Sequence, residues 1–86
     1  MIQKLRNLGK ASTHMLEVAG IKTADQLRVQ GAVAAYLAVK RAGCAPSLNL
    51  LWALEGALTN RDWKAVAKTD RLTLLMQVEA LEKIPP

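Results

Sequence analysis

Residues 5–21 read LRNLGKASTHMLEVAGI, and this stretch decides the class of fold. A first apolar-spaced segment runs into Leu8-Gly9-Lys10, and a second begins at Ser12 and ends at Gly20. Two short helical segments joined by a glycine turn predict a helix-hairpin-helix pattern. In that pattern, the backbone N–H groups of the turn and of the next helix start can face an anion.

Positive charge is concentrated around this first turn. Lys4, Arg6 and Lys10 lie within seven residues. Residues 1–43 contain seven Lys or Arg and two Asp or Glu, whereas residues 44–86 contain five of each, so the net charge of +5 belongs to the first half. Charge at this level can serve solubility alone, but its segregation favours an acidic partner such as a phosphate backbone.

A second turn of the same kind follows at residues 20–23. It consists of a glycine, an apolar residue, a lysine and a hydroxyl residue. We therefore predict that both turns contact nucleic-acid phosphates and that nearby cations add long-range attraction. The predicted contact residues are Lys4, Arg6, Gly9, Lys10, Ser12, Gly20, Lys22 and Thr23. A purely structural interpretation stays open: Gly9 would only allow a tight turn with φ above zero, Ile21 would pack into the core, and Thr23 would cap a helix.

Glycine and proline residues divide the remaining chain into helices, and no stretch alternates as a strand does. In the first half we expect a short helical lead at Ile2–Asn7 and a helix from the N-cap Ser12 to Ala19. A third helix begins with a Thr23–Gln26 capping box and ends near residue 30, and a fourth is expected at Ala32–Ala42. In the second half we expect a helix from Leu48 to about Leu58, which Ser47 caps, and then a short turn that contains Trp63 and is capped by Asn60. The last helix is expected from Thr69 or Asp70 to about Lys83, and Pro85-Pro86 ends it. The expected fold is an all-α bundle of five to six short helices with a helix-hairpin-helix-like N-terminal half.

The apolar residues of these helices indicate which faces are buried. The helix at residues 48–58 is apolar nearly all round, so it is expected to form the centre of the core. In the helix after Ser12, the residues expected to face inward are Met15, Leu16 and Val18. Trp52 is expected in the core, whereas Trp63, beside Arg61 and Lys64, is more open and could stack on nucleic-acid bases.

Length and composition limit the possible functions. Eighty-six residues support one domain, and a chain of this size buries about 60% of the surface that it exposes when unfolded. No apolar run is long enough to span a membrane, and no apolar stretch follows the basic residues near the N-terminus as in a signal peptide. The single cysteine, Cys44, fits a reducing cytoplasm, which is the predicted location.

The sequence offers no set of residues for catalysis. His14 is the single histidine, and no Asp, Glu or Cys cluster lies near it at a ligand or general-base spacing. The sequence contains no paired carboxylates on a plausible face, no Ser/His/Asp set and no Walker-type loop. We therefore expect that the chain is not an enzyme and holds no metal or cofactor.

Several segments together resemble a known family. They read LRNLG at residues 5–9, AGIKT at 19–23 followed by Gln26-Leu27, GAVAAYL at 31–37, and SLNLLWALEGAL at 47–58 followed by Asp62-Trp63. This succession resembles the C-terminal domain of the TfoX/Sxy family of bacterial competence regulators over residues 2–81. Residues 7–12 are also similar, over this short segment alone, to the hairpin in the C-terminal domain of the α chain of RNA polymerase, a domain that contacts the DNA minor groove and activators.

The resemblance to the TfoX/Sxy family implies a helical fold related to helix-hairpin-helix domains. It also implies a role in switching on DNA-uptake genes together with a cyclic-AMP receptor protein, and it brings no catalytic residues. Family members typically carry an N-terminal α/β domain that this sequence lacks. Residues 1–86 are therefore expected to form a single helical domain, either a stand-alone version or an excised piece.

Two functional hypotheses follow. In the first, the chain is a non-enzymatic DNA-associated accessory module of transcription regulation, which contacts phosphates through its helix-hairpin turns without reading bases. Its specificity would then come from a partner regulator, such as a cyclic-AMP receptor protein. In the second, the chain is a protein–protein interaction module with no direct nucleic-acid binding, and its basic face suits an acidic protein surface. Neither hypothesis involves a membrane.

Overall fold

In the part of the chain that the structure describes, six helices follow one another with short connections. The computed structural model describes residue 5 and residues 7–83, and within these residues every regular element is an α-helix. The helices are α1 (Lys10–Val18), α2 (Ala24–Gln30), α3 (Ala32–Arg41), α4 (Leu48–Thr59), α5 (Trp63–Thr69) and α6 (Arg71–Glu82). The all-α class and the number of helices predicted from the sequence are confirmed. No helix in the described part of the chain has the length and apolar character needed to cross a membrane.

The central position predicted for α4 is confirmed. Seven of its twelve residues are buried, and Leu51 and Leu54 are completely so. The helix packs against both α3 and α5, and α6 packs against the same two helices. Leu16 of α1 and Leu27 of α2 complete the buried cluster from the N-terminal half. The helix α4 is apolar on nearly all of its faces, and other parts of the chain pack against nearly all of them.

The start of α1 differs from the prediction. Its N-cap is Gly9, and Ser12 lies within the first turn instead of at the cap. The Gly9 carbonyl accepts the N–H of Thr13 at 3.0 Å and the Thr13 hydroxyl at 2.8 Å, so the helix is already formed at residue 10. Val18, predicted to face inward with Leu16, is exposed. Two residues that are two positions apart on a helix lie on opposite sides of it, so they cannot share a buried face.

The connection between α4 and α5 also differs from the prediction. Asn60 does not cap the helix that contains Trp63; it ends α4 in the left-handed conformation, with φ +55° and ψ +48°. Asparagine tolerates this conformation better than most residues, which is why it is frequent at helix C-termini. Trp63 begins the seven-residue helix α5, where the sequence predicted a short turn, and the N-cap of α5 is Asp62.

In the segment that precedes α1, the residue with a φ above zero is Asn7. Asn7 has φ +71°, whereas Gly9 is extended, with φ −97° and ψ −168°. The interpretation that Gly9 supplies a φ above zero is therefore wrong, because any L residue adopts its conformation. Most of the predicted helical lead at residues 2–7 lies outside the described residues, as does the Pro85-Pro86 ending, but Asn7 itself is in a turn.

The Asn7 side chain ties this connection to the α4–α5 loop. Its Nδ2 donates to the Arg61 carbonyl at 2.8 Å, and its Oδ1 accepts the N–H of Trp63 at 3.3 Å. Gly56 lies directly against this contact: a Cβ there would be 2.5 Å from both the Arg61 oxygen and Asn7 Nδ2. A glycine in a buried helix is thus required by the close approach of two other segments. We call these four residues the Asn7 anchor.

Candidate nucleic-acid interface

The start of α1 presents backbone donors and a lysine to solvent. Its first turn contains no acidic residue, and the N-cap Gly9 has no side chain with which to cap. The first three N–H groups of a helix cannot bond within it. In the part of the chain that the structure describes, these groups have no other acceptor, and Lys10 beside them is exposed. The partial positive charge of this helix end is therefore not neutralised by the described chain.

Ser12 lines a groove beside the start of α1. The groove has a volume of about 240 Å³, and its lining includes Ser47 and Asn49 from the start of α4 and the half-buried ring of Trp63. The Lys64 ammonium lies 5.8 Å from the centroid of the Trp63 ring. The sequence singled out Ser12 and Trp63 separately, but it gave no sign that the start of α4 lies beside the start of α1. That proximity arises from tertiary packing and has no local pattern.

The second predicted turn is closed by its own hydrogen bonds. Gly20 has φ +88°, a conformation that favours glycine, and its N–H donates to the Glu17 carbonyl at 3.0 Å. The N–H of Ile21 donates to the Leu16 carbonyl at 2.8 Å, and the Ile21 side chain is buried. This is the pairing that commonly ends a helix at a glycine. The structural role predicted for this turn is confirmed.

The next two N–H groups of this turn are occupied by the capping box. Gln26 Oε1 accepts the N–H of Lys22 at 2.6 Å and that of Thr23 at 3.2 Å. Thr23 Oγ1 in turn accepts the N–H of Gln26 at 3.1 Å. All four N–H groups of residues 20–23 thus donate within the chain. In this conformation the Lys22 ammonium can bind an anion. The backbone N–H groups of the turn cannot make the phosphate contacts that the sequence predicted.

The two turns lie at opposite ends of α1. A helix of nine residues is about 14 Å long, so one phosphate cannot contact both turns. The structure therefore groups Gly9, Lys10 and Ser12 at one end and Gly20, Lys22 and Thr23 at the other. Lys4 and Arg6 are outside the described residues, and their contribution stays a prediction.

The lysines at the two ends of α1 differ from two other cations of the first half, Arg28 and Lys40. Lys10 and Lys22 are exposed and make no ion pair within the described residues. Arg28 pairs with a carboxylate on its own helix at 3.0 Å, and Lys40 pairs with Glu82 of α6 at 3.1 Å. The pair with Glu82 therefore compensates part of the excess charge of the first half, whereas the ends of α1, like the exposed Arg41, retain theirs.

Arg61, in the second half, is held by acidic side chains. Its guanidinium donates to both carboxylate oxygens of Asp70, at 3.2 and 2.6 Å, and lies 3.9 Å from Glu55. Hydrogen bonds from Arg61 and from the Thr69 hydroxyl lower the pKa of the Asp70 carboxyl to about 2. The hydrogen bond to Asp70 raises the pKa of Arg61. Arg61 thus ties the α4–α5 loop to the start of α6 and is not free for a phosphate.

Comparisons with known proteins give a family and two solved structures of similar fold. The family model of the TfoX C-terminal domain matches residues 1–78. No protein with a curated description matches the sequence. An uncharacterised protein from Listeria monocytogenes, solved in a triclinic form, is similar with a TM-score of 0.79 and 30% identity, over 94% of this chain and 92% of that one. A protein of unknown function from the same organism, in a tetragonal form, is similar with a TM-score of 0.79 and 29% identity, over 92% of this chain and 98% of that one.

Proposed function

Because the chain belongs to the TfoX C-terminal domain family, we propose that it is a non-enzymatic accessory module of transcription regulation that associates with DNA. The observation that carries the proposal is the start of α1, where Lys10 and three N–H groups have no acceptor or ion pair in the described chain. A helix N-terminus and an adjacent lysine are a frequent combination for binding a phosphate.

In this proposal the start of α1 holds one phosphate of the DNA backbone. Lys22, at the other end of α1, reaches a second phosphate through its ammonium alone. Lys4 and Arg6 add long-range attraction and further phosphate contacts. Such contacts set affinity and position on DNA but carry no sequence information. Specificity therefore comes from a partner, for which a regulator of the cyclic-AMP receptor protein type is the candidate. The cytoplasm is the proposed location, because DNA is accessible there and a single cysteine stays reduced.

The first experiment measures binding to a fluorescent duplex of random sequence across a series of salt concentrations. Three to four neutralised phosphates predict that log K falls against log salt with a slope of about −3 to −4. Absence of binding at low salt, or a slope near zero, contradicts the proposal.

An acidic substitution in the first turn of α1 tests the site itself. Ala11→Glu places a carboxylate beside the N–H groups, where it stabilises the helix by about 0.3–1 kcal/mol. The same carboxylate repels a phosphate, so DNA affinity falls while thermal stability is unchanged or rises. Ala65→Glu is the matched control, because Ala65 is exposed in the first turn of α5 and the change in net charge is identical. Equal losses of affinity in both variants would show that net charge, and not the start of α1, determines binding.

The second candidate is a protein–protein interaction module without direct nucleic-acid binding. It is supported by the same exposed lysines, which suit an acidic protein surface as well as a phosphate backbone. The duplex titration separates the two candidates. Without DNA binding at low salt, the basic ends of α1 are assigned to a protein partner, which pull-down with the wild type and with a Lys10→Glu variant would then identify.

A further inference from the structure

The groove beside the start of α1 combines an aromatic wall with several polar side chains. Trp63 and the buried Leu50 supply apolar surface. Ser12, Ser47 and Asn49 also line the groove, and none of these three side chains has a hydrogen-bond partner within the described chain. An apolar or aromatic wall with a few convergent polar groups is the usual composition of a site for a small ligand group.

The fold fixes the position of Trp63. Its N–H donates to Asn7 Oδ1 at 3.3 Å, and its ring packs against the core but stays half-buried. Trp52, the other tryptophan of the chain, is 4% exposed and belongs to the core. A ring that is already held in place loses little conformational freedom when a ligand stacks on it. Trp63 is therefore the tryptophan that is available to a flat ligand.

The size and charge of the groove limit what it can bind. Its volume of about 240 Å³ lies below the roughly 300–1,000 Å³ of pockets that enclose a drug-sized molecule, so it suits a single ring system. No described acidic residue lines it. Ser12, whose N–H is one of the three at the start of α1, forms part of its wall, so the positive end of that helix borders the groove. A ligand that joins a flat ring to a negative charge complements both features.

We propose that this groove binds one unpaired base of single-stranded DNA, which stacks on the Trp63 ring. The start of α1 holds a phosphate beside that base, and the side chains of Ser12, Ser47 and Asn49 can hydrogen-bond to the edge of the base. A base within a duplex is stacked and paired, so it cannot enter the groove. Stacking on an aromatic ring tolerates every base, which agrees with a chain that does not read sequence. The inference rests on the proposed function for the phosphate contact and adds a preference for unpaired bases.

Two single strands with the same number of phosphates test the inference. One is a fluorescent oligothymidylate of about ten nucleotides, and the other is an abasic strand of the same length. The wild type should bind the thymidylate strand at least about fivefold more tightly, which is the contribution of one stacked base. Equal affinities for the two strands overturn the inference and leave the phosphate contact standing. If neither strand and no duplex binds at low salt, the proposed function fails, and this inference fails with it.

Substitutions of Trp63 test whether this ring is responsible. Trp63→Leu should reduce the ratio of the two affinities to about one, whereas Trp63→Phe keeps an aromatic ring and should retain most of the ratio. The hydrogen bond to Asn7 uses the backbone of Trp63, so both variants can still form it. Partial unfolding of a variant lowers both affinities and leaves their ratio unchanged. A preference for the thymidylate strand that persists in Trp63→Leu overturns the assignment to Trp63.

The tryptophan fluorescence of the wild type gives a second measurement that needs no substitution. A base stacked on Trp63 should quench its emission when the thymidylate strand is added, and the abasic strand should leave the emission unchanged. Trp52 is buried in the core and cannot stack on a base, so a change on binding reports on Trp63. Unchanged emission at a saturating concentration of the thymidylate strand would contradict stacking in this groove.

Discussion

The α4–α5 loop and the ends of α1 use their cations differently. In the second half, Arg61 is bound by Asp70 and lies near Glu55, and it connects the α4–α5 loop to α6. In the first half, Lys10 and Lys22 lie at the ends of α1 and make no ion pair with any residue that the structure describes. Net charge alone therefore does not locate a binding surface, because some of the cations that it counts are already bound by carboxylates.

The Asn7 anchor joins the two halves. Asn7 follows the basic N-terminal segment and bonds to the backbone of the loop that contains Arg61. Substitutions at the anchor are therefore expected to change stability, whereas substitutions at the ends of α1 are expected to change binding alone. The following predictions test this separation.

The largest effect is expected at Gly56. In most helices, alanine in place of glycine stabilises by about 0.8–1 kcal/mol. At Gly56, the added Cβ would be 2.5 Å from both members of the Asn7–Arg61 hydrogen bond. Gly56→Ala should therefore lower the free energy of unfolding by about 3 kcal/mol, through overpacking and loss of that bond. Urea unfolding followed by circular dichroism measures the change.

A double-mutant cycle is the control for this prediction. Asn7→Gly removes one of the two atoms that the new Cβ would meet, so the cost of Gly56→Ala should be smaller in the Asn7→Gly background. An equal cost in both backgrounds would show that Gly56 is not constrained by the Asn7 anchor.

The second largest effect is expected at Asn7. Asn7→Ala removes two hydrogen bonds and places alanine at φ +71°, so it should cost about 2 kcal/mol of unfolding free energy. Asn7→Gly loses the same hydrogen bonds but accepts the backbone conformation, and it should recover about 1 kcal/mol relative to Asn7→Ala. If the two variants are equally stable, the conformation of Asn7 contributes nothing.

The Asn7 anchor also shows which features could not be predicted from the sequence. Much of the helical pattern was predictable because many caps and breakers are local: Thr23 and Gln26 form the expected capping box, and α4 is as central as its apolar sequence indicates. The caps predicted at Ser12 and Asn60 are wrong. Asn7 and Gly56 gave no such signal, since their roles depend on segments far apart in the sequence. The sequence assigned a φ above zero to Gly9, but Asn7 adopts that conformation. The side-chain amide of Asn7 is hydrogen-bonded to the distant α4–α5 loop, which holds Asn7 in this position.

The candidate site was predictable to a similar extent. The pattern of glycine, cation and hydroxyl residue is equally visible at both turns, and Lys10 and Lys22 are exposed as expected. The pattern does not indicate whether the backbone N–H groups of each turn are already hydrogen-bonded within the chain. Gln26 serves the capping box and thereby occupies two N–H groups of the second turn, while the start of α1 has no such side chain.

The third prediction concerns pH. The pKa of the Asp70 carboxyl is about 2 in the folded chain and near its ordinary 3.8 when unfolded, so below about pH 5 the unfolded chain binds the proton more readily. The Arg61–Asp70 pair therefore contributes fully above about pH 5, and its contribution is lost as the pH falls toward 2. Asp70→Asn should be less stable than the wild type at pH 7, and the difference should shrink in this range. A constant difference down to pH 2 would contradict the role of the carboxylate.

The smallest effect on stability is expected at the ends of α1. Lys10→Gln with Lys22→Gln should change the unfolding free energy by less than about 0.5 kcal/mol, as is usual for exposed positions without partners. The same double variant should make the salt dependence of DNA binding shallower by about 2 in slope, because each lysine contacts one phosphate. Arg61→Gln should show the reverse, with lower stability and an unchanged slope, because its guanidinium is bound to Asp70. If Arg61→Gln also made the slope shallower, a cation bound by carboxylates would contact DNA as well, and the difference between the α4–α5 loop and the ends of α1 would not hold.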